Sequence, residues 1–298
     1  MDVITLQADS TRLAVAPAAG GSIARYWSEQ QQGRTIEWMR PTPAAALKRR
    51  MPLAYSSFPL VPYSGRIRDG RFSFRGRNVT LPLNFLPENN SIHGQAWQLP
   101  WSVAQQEKSA ATLEFRHKAD EWPWDYRASQ QFTLAPRRLT LEMSLTNEGP
   151  DAMPAGLGPH PYFVRTPQAT VTAGVQKVWL NDNEVMPASF VDPPAERDLR
   201  RGVRVDAVAM DNCFAGWDRR AVIEWPEWQA RLTMTADTPL DFLVVYTPPK
   251  QDFFCVEPVS HAADAVNFVN AGRTDTGLLV LDPGQTLRVT AHFDTAIN

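Results

Sequence analysis

Apolar residues in this chain recur at every second position, and only over short stretches. In Arg138-Leu139-Thr140-Leu141-Glu142-Met143-Ser144-Leu145 they occupy alternate positions, the pattern of a strand with one buried and one wetted face. Residues 111–117, 126–134, 230–235 and 287–293 read the same way. Turn-forming clusters lie between such runs: Asn147-Glu148-Gly149-Pro150, Asp192-Pro193-Pro194 and Asp282-Pro283-Gly284. The 25 prolines are spread along the chain and would interrupt most helices of useful length. Residues 44–48 and 264–268 each suit a helical turn or two, no more. Many short strands bounded by Pro/Gly turns predict an all-β fold, an antiparallel sandwich or barrel. No composition shift, Ser/Gly linker or solenoid-length repeat divides the 298 residues. The expectation is therefore one domain over residues 1–298, a large β-sandwich of long, curved sheets.

Composition narrows the function. Hydrophobic and charged fractions of 43% and 21% are those of a globular chain, which excludes a disordered one. A formal net charge of −2 gives no electrostatic reason to expect nucleic acid or an anionic membrane as partner. Lys48-Arg49-Arg50 reads as a solvated run, and Arg66, Arg68 and Arg71 form a second basic group. The first ten residues lack a basic segment followed by an apolar one, and no uncharged apolar run reaches about 18 residues. Neither a signal peptide nor a membrane helix is predicted, and the cytoplasm is the simplest location. Cys213 and Cys255 are too few and too distant for a disulfide framework or a zinc site. With no metal-ligand spacing and no Gly-x-Gly-x-x-Gly fingerprint, no metal or cofactor is expected. Of the ten tryptophans most belong in the core, although Trp97 or Trp217 would suit the C–H face of a sugar ring.

Four stretches are more polar than a sandwich requires. Phe58-Pro59-Leu60-Val61-Pro62-Tyr63-Ser64-Gly65-Arg66-Ile67-Arg68-Asp69-Gly70 reads as a rigid loop. Its Arg66 either offers a fork of donors to sugar oxygens or forms a surface ion pair with Asp69 or another acid. In Asn89-Asn90-Ser91-Ile92-His93-Gly94, His93 suits a substrate donor or a turn-stabilising role. In Gly156-Leu157-Gly158-Pro159-His160-Pro161-Tyr162-Phe163 the flanking prolines stiffen the backbone around His160. That stiffness fits a proton-exchanging imidazole or a buried structural one. In the fourth, Asp252-Phe253-Phe254-Cys255-Val256-Glu257-Pro258-Val259-Ser260-His261, the two-residue period puts Phe253, Cys255 and Glu257 on one face. A carboxylate closing a buried strand needs a partner or a function, and burial raises its pKa into the range of a general base.

Together these segments resemble the aldose 1-epimerase (galactose mutarotase) family. The Pro-x-x-x-Arg-Ile loop, the His-Gly turn, the Gly-x-x-x-His-Pro-Tyr-Phe segment and the late Glu-Pro occur in the family's order. Asp211-Asn212-Cys213-Phe214 matches its Asp-centred segment. The resemblance implies a galactose mutarotase-like supersandwich that interconverts the α and β anomers of a free hexose without cofactor or metal. It implies Glu257 as the general base at the C1 hydroxyl and His160 as the general acid at the ring oxygen. Arg66, His93 and Asp211 match residues that bind sugar oxygens. The family's usual Asn before Arg-Ile is Gly65 here, which removes an amide from the site, and Ser260-His261 departs from the galactose-type pattern. The expected partner is a small monosaccharide, and the expected state a monomer or weak homodimer. Three other readings compete: an epimerase of a phosphorylated sugar using Arg68 and Arg71, a non-catalytic carbohydrate-binding or sensing protein, and a lyase or glycosidase on a similar sandwich. A binder would need neither His160 nor Glu257, and a glycosidase would want a second flanking carboxylate.

Overall fold

The alternation in the sequence becomes two antiparallel sheets in a computed structural model that describes residues 3–30 and 33–297. Met1 and Asp2, the start of the stretch considered for a targeting segment, lie outside the described residues. The nine-stranded sheet runs in the order Ser102–Gln106, Ala110–His117, Tyr126–Ala135, Arg138–Asn147, Thr286–Ile297, Ala230–Ala236, Arg220–Trp225, Thr170–Ala173 and Val203–Arg204. Its long hairpins keep a strict in-out pattern: Leu139, Leu141, Met143 and Leu145 are buried while the residues between them are not. The inward side chains, among them Leu113, Phe132, Leu141 and Phe293, meet Leu6, Leu13, Tyr26, Phe163, Phe254 and Val256 of the other sheet in one continuous core. Hydrogen bonds tie the layers, among them Tyr26 Oη to the Phe293 carbonyl at 3.2 Å and Trp225 Nε1 to that of Val164 at 2.8 Å.

The eleven-stranded sheet follows the order Ile4–Ala8, Thr11–Ala16, Ser22–Glu29, Ser57–Leu60, Gly158–Val164, Phe253–Val259, Phe242–Tyr246, Asp211–Ala215, Lys177–Asn181 and Pro187–Val191; Thr35–Glu37 also pairs with Ser22–Glu29. Its central strands are buried on both faces. One face joins the core between the sheets. The other carries Phe58, Tyr162, Cys255 and Val259, which cluster with Trp97 and Trp179; of these Tyr162, Val259 and Trp97 line a cavity.

Short helices form at Ala44–Arg49 and Ala265–Asn270, where a turn or two was expected, and Lys48, Arg49 and Arg50 are exposed. None of the helices among the described residues is long and apolar enough to cross a membrane. The stretch read as a rigid loop and the proline-stiffened stretch around His160 both take part in strands. Residues 58–70 begin inside the strand Ser57–Leu60, and Arg66–Ile67 then pairs with Ser91–Ile92 before a 3₁₀ turn at Arg68–Gly70. Residues 158–164 form a central strand despite Pro159 and Pro161. The strand tolerates both because residues 158–161 pair with Ser57–Leu60 and only residues 162–164 pair with Phe253–Val259. A proline lacks the N–H that a second ladder would require.

Candidate active site

That interrupted ladder builds the centre of the site. Tyr162 faces Cys255 in the antiparallel register, and continuing the register by two residues sets His160 against Glu257. Side chains so related lie on one face within reach of each other, and His160 Nε2 stands 3.3 Å from Glu257 Oε1. Both are nearly buried, at 7% and 3% exposure, and both line a cavity of about 250 Å³. The same row continues through Val244 to Cys213, since Glu257 pairs with Val244 and Val244 with Cys213. One row along, Asp211 pairs with Tyr246 and Tyr246 with Cys255. Asp211, Tyr246, Val244 and Cys213 all reach the cavity.

The opposite wall comes from the small ladder of Arg66–Ile67 with Ser91–Ile92. Arg66 donates from Nε to Glu88 Oε2 at 3.1 Å and from Nη2 to Asp211 Oδ2 at 3.5 Å. His93 follows this ladder with φ +63°, its own N–H bonded to the Gly65 carbonyl at 2.9 Å. The Gly65 N–H donates to His93 Nδ1 at 3.1 Å, which leaves the imidazole proton on Nε2. Gly65 has φ +66°, and a Cβ there would come within 2.9 Å of the Ala263 Cβ. Glycine thus fits both the backbone and the neighbour, where the family pattern has Asn.

Electrostatics follow from burial. Desolvation lowers His160 to about 3 and pushes His93 well below its ordinary value; the same cause raises Glu257 well above a normal carboxyl, with the nearby Asp211 charge adding to it. Asp211 is also raised by burial, against the pull of Arg66. With both groups desolvated, the His160–Glu257 pair favours its neutral form, with one proton on the carboxyl side of the contact. His160 Nδ1 has no hydrogen-bond partner among the described residues.

The structure brings His160, Glu257, Arg66, His93 and Asp211 to one cavity. His261 also lines it, yet its Nδ1–H donates to the Ala262 carbonyl at 2.7 Å and its Nε2 accepts the Ser64 N–H at 3.2 Å. Both nitrogens are occupied in holding the Arg66 loop against the end of the Glu257 strand. Gly156 makes room for this ring, since a Cβ there would lie 2.0 Å from it. Trp97 is a cavity wall, stacked on Phe58 at 5.0 Å with its Nε1 bonded to the Gly94 carbonyl. Trp217 is not at the site: it lies beyond the far end of Asp211–Ala215, packs into the core between the sheets, and bonds the Arg220 carbonyl. Arg68 is likewise taken, paired with Asp182 at 2.9 Å and Glu184 at 2.6 Å. Sequence reasoning missed Glu88, Asn181 and Tyr246. Only Tyr246 carried a signal, as the alternate-face residue of an apolar run.

Among the described residues one cluster of potential metal ligands occurs: His160, Cys255 and Glu257, with ligand atoms within 4.8 Å of one another. Sequence spacing does not reveal it, because strand pairing assembles it. Burial holds the Cys255 thiol protonated, which opposes ligation. Cys213 and Cys255 are both free and buried.

Known proteins resemble this chain over its whole length. The uncharacterized protein YphB of Escherichia coli (strain K12) is 31% identical over 294 residues, which is 96% of each chain. A crystal structure from Escherichia coli K12 superimposes with a TM-score of 0.90 at 28% identity, over 100% of this chain and 99% of the other. A galactose mutarotase-like protein from Clostridium acetobutylicum shares the fold, with a TM-score of 0.86 at 20% identity over 99% and 95% of the two chains. The family model for aldose 1-epimerase matches residues 2–294. With its histidine and glutamate in contact across neighbouring strands at a cavity, the chain belongs to the aldose 1-epimerase family of isomerases.

Proposed function

We propose that the protein interconverts the α and β anomers of a free hexose, with His160 and Glu257 as its proton-transfer pair. The observation that carries this reading is their 3.3 Å cross-strand contact on the cavity wall. In a hemiacetal the C1 hydroxyl and the ring oxygen share one carbon, so two groups in contact with each other reach both. Glu257 takes the proton of the C1 hydroxyl while His160 gives one to the ring oxygen, and the C1–O5 bond breaks. The aldehyde rotates about C1–C2 and recloses on its other face with both transfers reversed. The pair thus alternates between a charged form facing the closed ring and a neutral form facing the open chain. The neutral form is the one that burial favours. Arg66, His93 and Asp211 bind sugar oxygens around it, the first two as donors and Asp211 as acceptor.

General acid and general base groups are each worth about 10²–10⁴-fold. Mutarotation also proceeds in water, so the demand on the site is modest. A phosphorylated substrate is not favoured, because Arg66 and Arg68 are already paired with Glu88, Asp211, Asp182 and Glu184. The test is anomer exchange by NMR or polarimetry over a panel of aldoses and their 6-phosphates. Acceleration for free hexoses alone is expected. Sugar binding without faster exchange would identify a binding protein instead and end this reading.

A further inference from the structure

A catalytic imidazole is usually held in place by a hydrogen bond from a third group to its far nitrogen. His160 lacks that bond: its Nε2 faces Glu257 at 3.3 Å, while its Nδ1 has no partner among the described residues. Ring faces surround it instead. Tyr162, two residues along the same strand face, stacks on it with centroids 4.8 Å apart and planes 16° from parallel. Phe58, its partner across the strands, lies 4.5 Å away, and His93 stands edge-on at 5.2 Å.

Tyr162 is held in turn by Arg40. The guanidinium carbon lies 4.5 Å from the centre of the tyrosine ring and 4.6 Å from that of Phe253, which meets Tyr162 edge-on at 4.9 Å. Main-chain bonds fix the two residues to each other. The Arg40 N–H donates to the Tyr162 carbonyl at 2.8 Å, and Ser56, whose carbonyl accepts the Tyr162 N–H, donates from Oγ to the Arg40 carbonyl at 2.7 Å. Arg40 Nη2 donates to the carbonyls of Leu53 and Tyr55, both at 2.9 Å. Among the described residues Arg40 forms no ion pair, and Asp252 acts on it only at a distance. A half-buried arginine without a carboxylate partner is costly to keep, and here its charge is turned toward two aromatic faces. Arg40 does not line the cavity, so it acts on the chemistry through Tyr162.

We propose that Tyr162 and Arg40 are the positioning residues of His160. Arg40 holds the tyrosine ring and that ring holds the imidazole, in place of a hydrogen-bonded third group. The inference rests on the reading of His160 as proton donor given above.

The test measures kcat and KM for glucose anomer exchange in Tyr162→Phe, Tyr162→Leu, Arg40→Lys and Arg40→Gln, each checked by thermal unfolding. Tyr162→Phe keeps the ring and Arg40→Lys the charge, whereas Arg40→Gln keeps an amide donor for the two carbonyls and loses the charge. The two conservative variants should hold kcat within about threefold of wild type. Tyr162→Leu and Arg40→Gln should lose about 10–100-fold in kcat, with KM changed by less than about twofold. A raised KM with kcat preserved would make Tyr162 a substrate contact and overturn the proposal. Equal losses in Tyr162→Phe and Tyr162→Leu, or wild-type kcat in Arg40→Gln, would overturn it too. The Arg40 variants carry the test if Tyr162→Leu does not fold.

NMR reads the imidazole without turnover. The His160 ring protons, assigned by their loss in His160→Asn, should be shielded by the stacked ring in the wild type and both conservative variants, and should lose that shielding in Arg40→Gln. Unchanged ring-proton shifts in Arg40→Gln overturn the proposal. If the wild type exchanges no sugar, the active-site reading fails, and these shifts judge the stack by themselves.

Discussion

The two sheets handle polar residues in opposite ways. In the nine-stranded sheet polar side chains sit on the outer face and pair across strands, as Ser129 with Ser144 at 2.7 Å and Arg138 with Asp294 at 2.8 Å. The middle of the eleven-stranded sheet has no outer face, since the cavity cluster covers one side and the core the other. His160 and Glu257 are therefore buried in a position where apolar side chains would be more stable. The lesson is that alternation measures solvent on one face. Where it fails in a sheet, a polar residue is held at a cost, and the site is found there.

The contrast predicts that substitutions in one region change activity and in the other stability. The largest effect belongs to His160→Asn and Glu257→Gln. Each should slow catalysed anomer exchange by about 100-fold or more, while thermal unfolding shows no loss of stability. A folded variant with wild-type turnover would remove that residue from the proton-transfer pair. Leu141→Ala, at 2% exposure in the other sheet, should do the reverse. It should cost about 2–5 kcal/mol in denaturant unfolding and leave kcat/KM of the folded fraction unchanged; altered kinetics would mean that the sheets are coupled.

On the proposed reading Arg66→Ala should raise KM about tenfold, because it would remove a donor to substrate and leaves Glu88 and Asp211 without their cation. Unchanged kinetics would reduce Arg66 to an ion-pair residue.

A weaker effect concerns pH. His160 and His261 are lowered by burial to about 3 and about 4, and His93 well below 6.5. Below about pH 6.5 an unfolded chain binds protons that these folded histidines refuse. Their contribution is thus full above 6.5 and lost as the pH falls. Glu257 acts in the other sense, its raised pKa giving a contribution that is full below about 4.5 and lost as the pH rises. The three histidines should thus lower the melting temperature from pH 7 toward pH 4 against the opposing Glu257 and Asp211, and the His160→Asn variant should lose less over that range than the wild type; equal slopes would contradict the neutral buried imidazole. The smallest change is Arg138→Ala, which breaks an exposed ion pair with Asp294 and should cost about 0.2–1 kcal/mol, with exchange rates untouched.

The sequence by itself determined the alternation of the nine-stranded sheet and named five residues that line the candidate cavity. Leu139, Leu141, Met143 and Leu145 announce their buried face because water lies on the other, and a period of two is a property of neighbouring residues. The order of Arg66, His93, His160, Asp211 and Glu257 was likewise legible as a set of motifs. Tertiary structure alone decided that His160 opposes Glu257, that Arg66 is shared between Glu88 and Asp211, and that Trp217 faces the core. It also turned the proline-flanked segment around His160 into a central strand and gave His261 two backbone partners. These contacts join segments far apart in the chain. Their geometry follows from strand order and register, and no local spacing encodes either.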